Sequence, residues 1–159
     1  EGEAVPMCAE ADAAINDYVF SQPTLSFVND KPSNEAYYSP SKDMVVVPMA
    51  KQYDDIAEYY STTFHELTHS TMTEGRCNRK QDGAGAFFGT TAYSREELVA
   101  EIGSAMLCAN FDIDTKKAFR NSIGYLQSWA KNLKNDPKAI VVAATKAEKA
   151  ARYILGERS

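Results

Sequence analysis

Two histidines occur in the 159 residues of this chain, and they stand four positions apart in His65-Glu66-Leu67-Thr68-His69. On an α-helix, at about 3.6 residues per turn, such positions project from one face, so both imidazoles can reach a single metal ion about 2 Å from each nitrogen. Glu66, beside the first histidine, is placed to reach a water at an open coordination position and act as its general base. Zinc suits this set best, with Mn²⁺ or Ni²⁺ as substitutes.

A catalytic zinc site takes a third protein ligand and leaves a position for water. There is no third histidine, and Cys8, Cys77 and Cys108 are far apart with no C-x-x-C pair, so a carboxylate must supply the ligand. The best source is Glu96-Glu97-Leu98-Val99-Ala100-Glu101, where Glu97 and Glu101 lie about one helical turn apart. In helical projection Glu101 falls nearer than Glu97 to an apolar stripe of Leu98, Ile102, Ala105 and Ala109. A carboxylate so placed needs a partner, either the metal or the outward N–H of a ligand histidine. Residue types alone leave the choice between the two open, and Ser94-Arg95-Glu96-Glu97 also reads as a capping box that would occupy Glu97.

Charge developing on a carbonyl oxygen needs a donor besides the metal, for which Tyr93 and Tyr125 are candidates in competition with core packing. Met44 to Val47 would pair with an extended peptide if it lies at a sheet edge. Arg76 and Arg79 read as solvated loop arginines, with a substrate carboxylate or phosphate as the alternative partner.

These residues need helices to hold them. No Pro or Gly interrupts Gln52 to Met72, and Ile56, Tyr59, Tyr60, Thr63, Phe64 and Leu67 recur at helical intervals, which predicts one long helix carrying both histidines. An opening helix is expected over Ala9 to Phe20, another after Ser94, a third over Lys116 to Asn132, and a last one opened by Asp136-Pro137 and closed by Gly156. Thr24 to Val28, Ala36 to Tyr38 and Met44 to Val47 read as short strands, the last two joined by a turn-rich hairpin. Thr73 to Ala92, with four glycines, reads as a long loop. The fold class expected is α+β, helix-dominated, with a small antiparallel sheet, in a single domain over residues 1–159.

The 22 acidic and 17 basic residues give a net charge of −5, and no run of lysines and arginines is present to track a phosphate backbone, which disfavours nucleic-acid binding. No apolar run approaches the roughly 20 residues of a membrane span. Three widely spaced cysteines read as reduced thiols, and so as a cytoplasmic protein. The chain begins at Glu1 rather than Met, and the expectation is the C-terminal part of something longer.

The pairing of His65 to His69 with Glu97-Leu98-Val99-Ala100-Glu101 resembles the thermolysin-type, or gluzincin, arrangement of H-E-x-x-H followed by E-x-x-x-D/E. The resemblance implies Glu97 as the metal ligand and Glu101 as the residue that orients a ligand histidine, although Glu stands where many gluzincins have Asp. A wider likeness takes in Ala36 to Pro40, Asp43 to Pro48, Tyr59-Tyr60, His65 to His69, Arg76 to Arg79, Tyr93 to Leu107, and Tyr125 with Trp129. In that order the chain resembles the zincin-like metallopeptidase domain of ArdC-type antirestriction proteins, also found in polyvalent proteins of phages and conjugative elements. The resemblance implies intracellular action for a mobile genetic element. It also implies contact with single-stranded DNA only through an N-terminal domain that is not part of this sequence.

The function expected is zinc-dependent hydrolysis of a peptide or protein substrate, with Glu66 as base. The alternative is a metal-containing, non-catalytic module that inhibits restriction enzymes or binds DNA-associated partners.

Overall fold

A computed structural model describes residues 7–80, 90–134 and 136–157, without the side chains of 117–119, 121–122, 125–126 and 132. Tyr125 is among these, so its expected role lies outside the described side chains.

Helix α1 spans Ala9–Ser21 and buries Ala11, Ile15 and Tyr18, an i, i+4, i+7 face. Phe20, two residues after Tyr18 and so on the opposite side of the helix, is 94% exposed. Three short strands follow: β1 Ser26–Val28, β2 Tyr37–Ser39 and β3 Met44–Val46. The hairpin makes β2 and β3 antiparallel, and its turn closes on Asp43 at φ 48°.

The sheet is mixed rather than antiparallel throughout. Strand order is β1-β3-β2, and β1 pairs in parallel with β3, Ser26 opposite Met44. Because β2 lies inside the connection from β1 to β3, β3 inserts between the two earlier strands. A parallel pair cannot be closed by a tight turn, and here β2 forms part of the required crossover. The Met44 strand is therefore interior, with both edges paired, and cannot offer an edge to a peptide.

Helix α2, Ile56–Ser70, starts at Asp55, whose carboxylate accepts the Ala57 amide at 3.0 Å. Its Tyr60, Phe64 and Leu67 enter the main core with Tyr18, Val45, Val47, Leu107 and Ile154. Helix α3, Thr91–Asn110, begins a turn earlier than expected. Thr90 is its cap, with Oγ1 accepting the Tyr93 amide at 3.1 Å, while Ser94 is buried within the helix and leaves Glu97 free of capping. Helices α4, Lys116–Asn132, and α5, Pro137–Ile154, follow as expected, α5 capped by Asp136 and ended near Gly156 at φ 94°.

The buried face of α3 also departs from the sequence expectation. Ala105 and Ala109 face outward, and the helix buries Glu96, Glu97, Ala100, Gly103, Ser104, Leu107 and Cys108. Small residues let α3 approach α2 closely: a Cβ on Gly103 would meet Thr68 Cγ2 at 2.8 Å. Hydrophobicity alone cannot mark a face built from glycine, serine and carboxylates. Leu98 and Val99 join Leu133, Ala143 and Ala147 in a second core under α5. Among the described residues no helix is long and apolar enough to cross a membrane, and Cys8, Cys77 and Cys108 are all unpaired thiols.

Candidate metal centre

The spacing on α2 places the rings of His65 and His69 edge to face, 4.8 Å between centroids. From α3, Oε2 of Glu97 reaches Nε2 of both rings, at 2.9 Å from His65 and 3.2 Å from His69. Each outward nitrogen meets a different carboxylate: His65 Nδ1 lies 3.0 Å from Glu101 Oε2, and His69 Nδ1 lies 2.8 Å from Glu96 Oε2. Glu101, expected to be the more deeply placed of the two alternatives, is the more open, its side chain 20% exposed against 12% for Glu97. Tyr93 is half-buried in the first turn of α3, on the face that continues to Glu97 and Glu101.

Glu96 is a further carboxylate of the site that the motif pattern does not mark. The one available signal was its position next to Glu97, which on a helix turns it about 100° toward the second histidine. Arg79, expected in solvent, is 3% exposed and binds Glu96 with two parallel bonds, Nε to Oε1 at 2.8 Å and Nη2 to Oε2 at 2.9 Å. The side chain of Arg76 is only 5% exposed, clasping Asp43 at 2.8 and 2.6 Å and donating to the Ser70 carbonyl at the end of α2. Both arginines are consumed within the fold because a buried guanidinium requires fixed acceptors.

The electrostatics follow from this crowding. Burial opposes charge on His65, but hydrogen bonds to Glu101 and Glu97 outweigh it and lift the pKa to about 9. For His69 burial is likewise overcome, by Glu96 and Glu97, and its pKa is raised. Glu97 is held well below the usual carboxylate range, its bonds to the two histidines overriding burial. Two inward imidazole nitrogens and one shared carboxylate oxygen thus demand positive charge between them, as protons or as a cation.

One ligand atom each from His65, His69 and Glu97 lie within 4.8 Å of one another. The 2.9 and 3.2 Å separations are close to the roughly 3.3 Å expected between ligands about 2 Å from one tetrahedral ion. The outward nitrogens are already committed to carboxylates, which leaves each Nε2 lone pair for a metal. The donor set fits a divalent ion. A separate cavity of about 490 Å³ between α3 and α5 is lined by Arg95, Val99, Lys138 and Val142, and touches this cluster only at Glu96 and Arg79.

Residues 16–146 match the family described as zincin-like metallopeptidase. The chain belongs to that family. It is 34% identical over 126 residues to the y4eC protein of Sinorhizobium fredii (strain NBRC 101917 / NGR234), covering 79% of this chain and 40% of y4eC. Two Escherichia coli proteins named DNA primase TraC are 34% and 35% identical over 122 residues, 77% of this chain but 8% and 11% of their own lengths. Among solved structures, the antirestriction protein ArdC from plasmid R388 superposes in its Mn(II)-bound form with a TM-score of 0.69 at 32% identity, covering all of this chain and 56% of ArdC. Its metal-free form gives 0.68 at 33% identity, covering 99% and 53%. The chain therefore spans 40% or less of the y4eC and TraC relatives and somewhat over half of ArdC. Membership in the family, the likeness to ArdC and the donor set together support a divalent-metal site.

Proposed function

We propose that this domain is a zinc-dependent metallopeptidase, with His65, His69 and Glu97 holding the metal and Glu66 as general base. The observation that carries the reading is how the carboxylates around the two histidines divide. Glu96, Glu97 and Glu101 are each bonded to imidazole nitrogens, whereas Glu66, only 9% exposed, makes no hydrogen bond among the described residues. A purely structural site has no use for an uncommitted carboxylate next to its first ligand.

A zinc ion so held supplies Lewis-acid polarisation of a carbonyl and acidifies water. Glu66 takes the proton of the attacking water and returns it to the leaving amine. Glu101 and Glu96 keep the histidine rings turned so that Nε2 faces inward. Tyr93, sharing the α3 face of Glu97 and Glu101, takes the role of donor toward the carbonyl oxygen as it gains charge. The substrate class is a peptide or protein. The likeness to ArdC supports a cytoplasmic role in antirestriction for a mobile genetic element, with any single-stranded DNA contact made by another domain.

Glu66→Gln tests the assignment because it keeps the side chain's size and removes the base. Zinc content should stay at the wild-type level while hydrolysis of a casein-derived peptide pool falls by at least about 100-fold. Loss of the metal would refute the division of roles. Wild-type protein with full zinc and no hydrolysis, together with antirestriction that survives Glu66→Gln, would replace the peptidase by a metal-containing contact module.

A further inference from the structure

The two outward histidine nitrogens are supported differently. His69 leans on Glu96, which is in turn locked by an arginine that docks against the end of the helix that carries His69. Arg79 donates through Nη2 to the Thr68 carbonyl at 2.9 Å and through Nη1 to Thr71 Oγ1 at 2.7 Å, besides its two bonds to Glu96. Its own amide donates to the Met72 carbonyl at 2.8 Å, and Asn78 at φ 53° turns the chain back over the C-terminal end of α2. The guanidinium thus meets the negative end of the α2 dipole and the Glu96 carboxylate together. Both side chains are nearly enclosed, Arg79 at 4% and Glu96 at 7% exposure, so neither is free to swing.

We propose that Arg79 is a positioning residue of the metal centre: it fixes Glu96, and through Glu96 the ring of His69, while tying α3 to the end of α2. The inference rests on the proposed metal centre. Removal of Arg79 leaves Glu96 unneutralised and free to leave His69 Nδ1, so the direction of Nε2 is lost although no ligand has been touched. Lysine cannot substitute, because an ammonium lacks the planar fork that engages both Glu96 oxygens.

The experiment measures the dissociation constant for Zn²⁺ by chelator competition, with the visible spectrum of the Co²⁺-loaded protein as a report on ligand geometry. Glu96→Ala should weaken Zn²⁺ binding by about 10–100-fold, the usual cost of losing an outer partner of a ligand histidine. Arg79→Met and Arg79→Lys should each cost a similar factor and change the Co²⁺ spectrum. Arg79→Met with Glu96→Ala should cost no more than the worse single change, since both cut one path. Arg79→Met with Glu101→Ala should cost the product of the two, since Glu101 acts on the other ring. If burial of a lone Glu96 prevents Arg79→Met from folding, the apolar pair Arg79→Met with Glu96→Met takes its place, and should match Glu96→Ala in affinity. Folded Arg79 variants with wild-type affinity and spectrum, or losses at Arg79 and Glu96 that multiply, would overturn the proposal. A wild-type protein that binds neither Zn²⁺ nor Co²⁺ overturns the metal reading itself, and the positioning role with it.

Discussion

Replacing Gly103 by alanine should damage the metal centre without altering any residue that touches it. Gly103 lies on α3 where that helix presses on α2, and an added Cβ would sit 2.8 Å from Thr68 Cγ2 and 3.0 Å from Thr68 Oγ1. Thr68 cannot yield easily, being fully buried, β-branched and bonded through Oγ1 to the Phe64 carbonyl at 2.7 Å. Overpacking of this kind costs about 1–3 kcal/mol. The exchange of glycine for alanine inside a helix returns up to about 1 kcal/mol. Because Thr68 is pinned, the cost falls in the upper part of that range, about 2–3 kcal/mol, and the net loss of about 1–2 kcal/mol lowers Tm by about 2–8 °C for a domain of this size. Thr68 adjoins His69, so pushing the helices apart lengthens the 3.2 Å separation between His69 Nε2 and Glu97 Oε2, and Zn²⁺ affinity should fall about tenfold. Thermal unfolding and chelator competition on Gly103→Ala, Thr68→Ser and the double variant measure both effects. Thr68→Ser removes the clashing methyl, so the double variant should recover most of the loss. A Gly103→Ala protein as stable and as tight for zinc as wild type, or losses that simply add, would refute this account of the interface.

The two glutamates of α3 can be separated by metal analysis. Glu97→Ala should abolish stoichiometric zinc, whereas Glu101→Ala should retain it with affinity lowered about 10–100-fold; the reverse order would exchange their roles. The metal-free protein should also carry a pH signature. His65, raised from an ordinary value near 6.5 to about 9, contributes stability that is complete below pH 6.5 and is lost as pH rises through 9. Differential scanning calorimetry should therefore show the metal-free Tm falling across that window and the gain in Tm on adding zinc growing with it; a gain that stays constant from pH 6.5 to 9 would contradict the proposed competition between protons and metal.

The sequence by itself determined the features that depend on local periodicity. Two histidines four apart on an uninterrupted helical stretch must share a face, so the inward pair was legible before any fold was known. The Asp136-Pro137 start and the Gly156 stop likewise placed α5, and the Ser39 to Asp43 turn placed the β2–β3 hairpin. Everything that depends on how one helix sits against another was decided by the tertiary structure. Glu96, Glu97 and Glu101 stand in one short stretch of α3, and their chemistry there would suit any of the roles they fill. Only the register of α3 on α2, set by the close approach of Gly103 to Thr68, turns Glu97 to both Nε2 atoms and the other two to the Nδ1 atoms. The same holds for Arg76 and Arg79, whose burial depends on Asp43 and Glu96, residues distant in sequence. The insertion of β3 between β1 and β2 belongs with them. Helical spacing acts over a few residues and is written into the chain, whereas inter-element register is a property of packed surfaces, which no stretch of sequence carries alone.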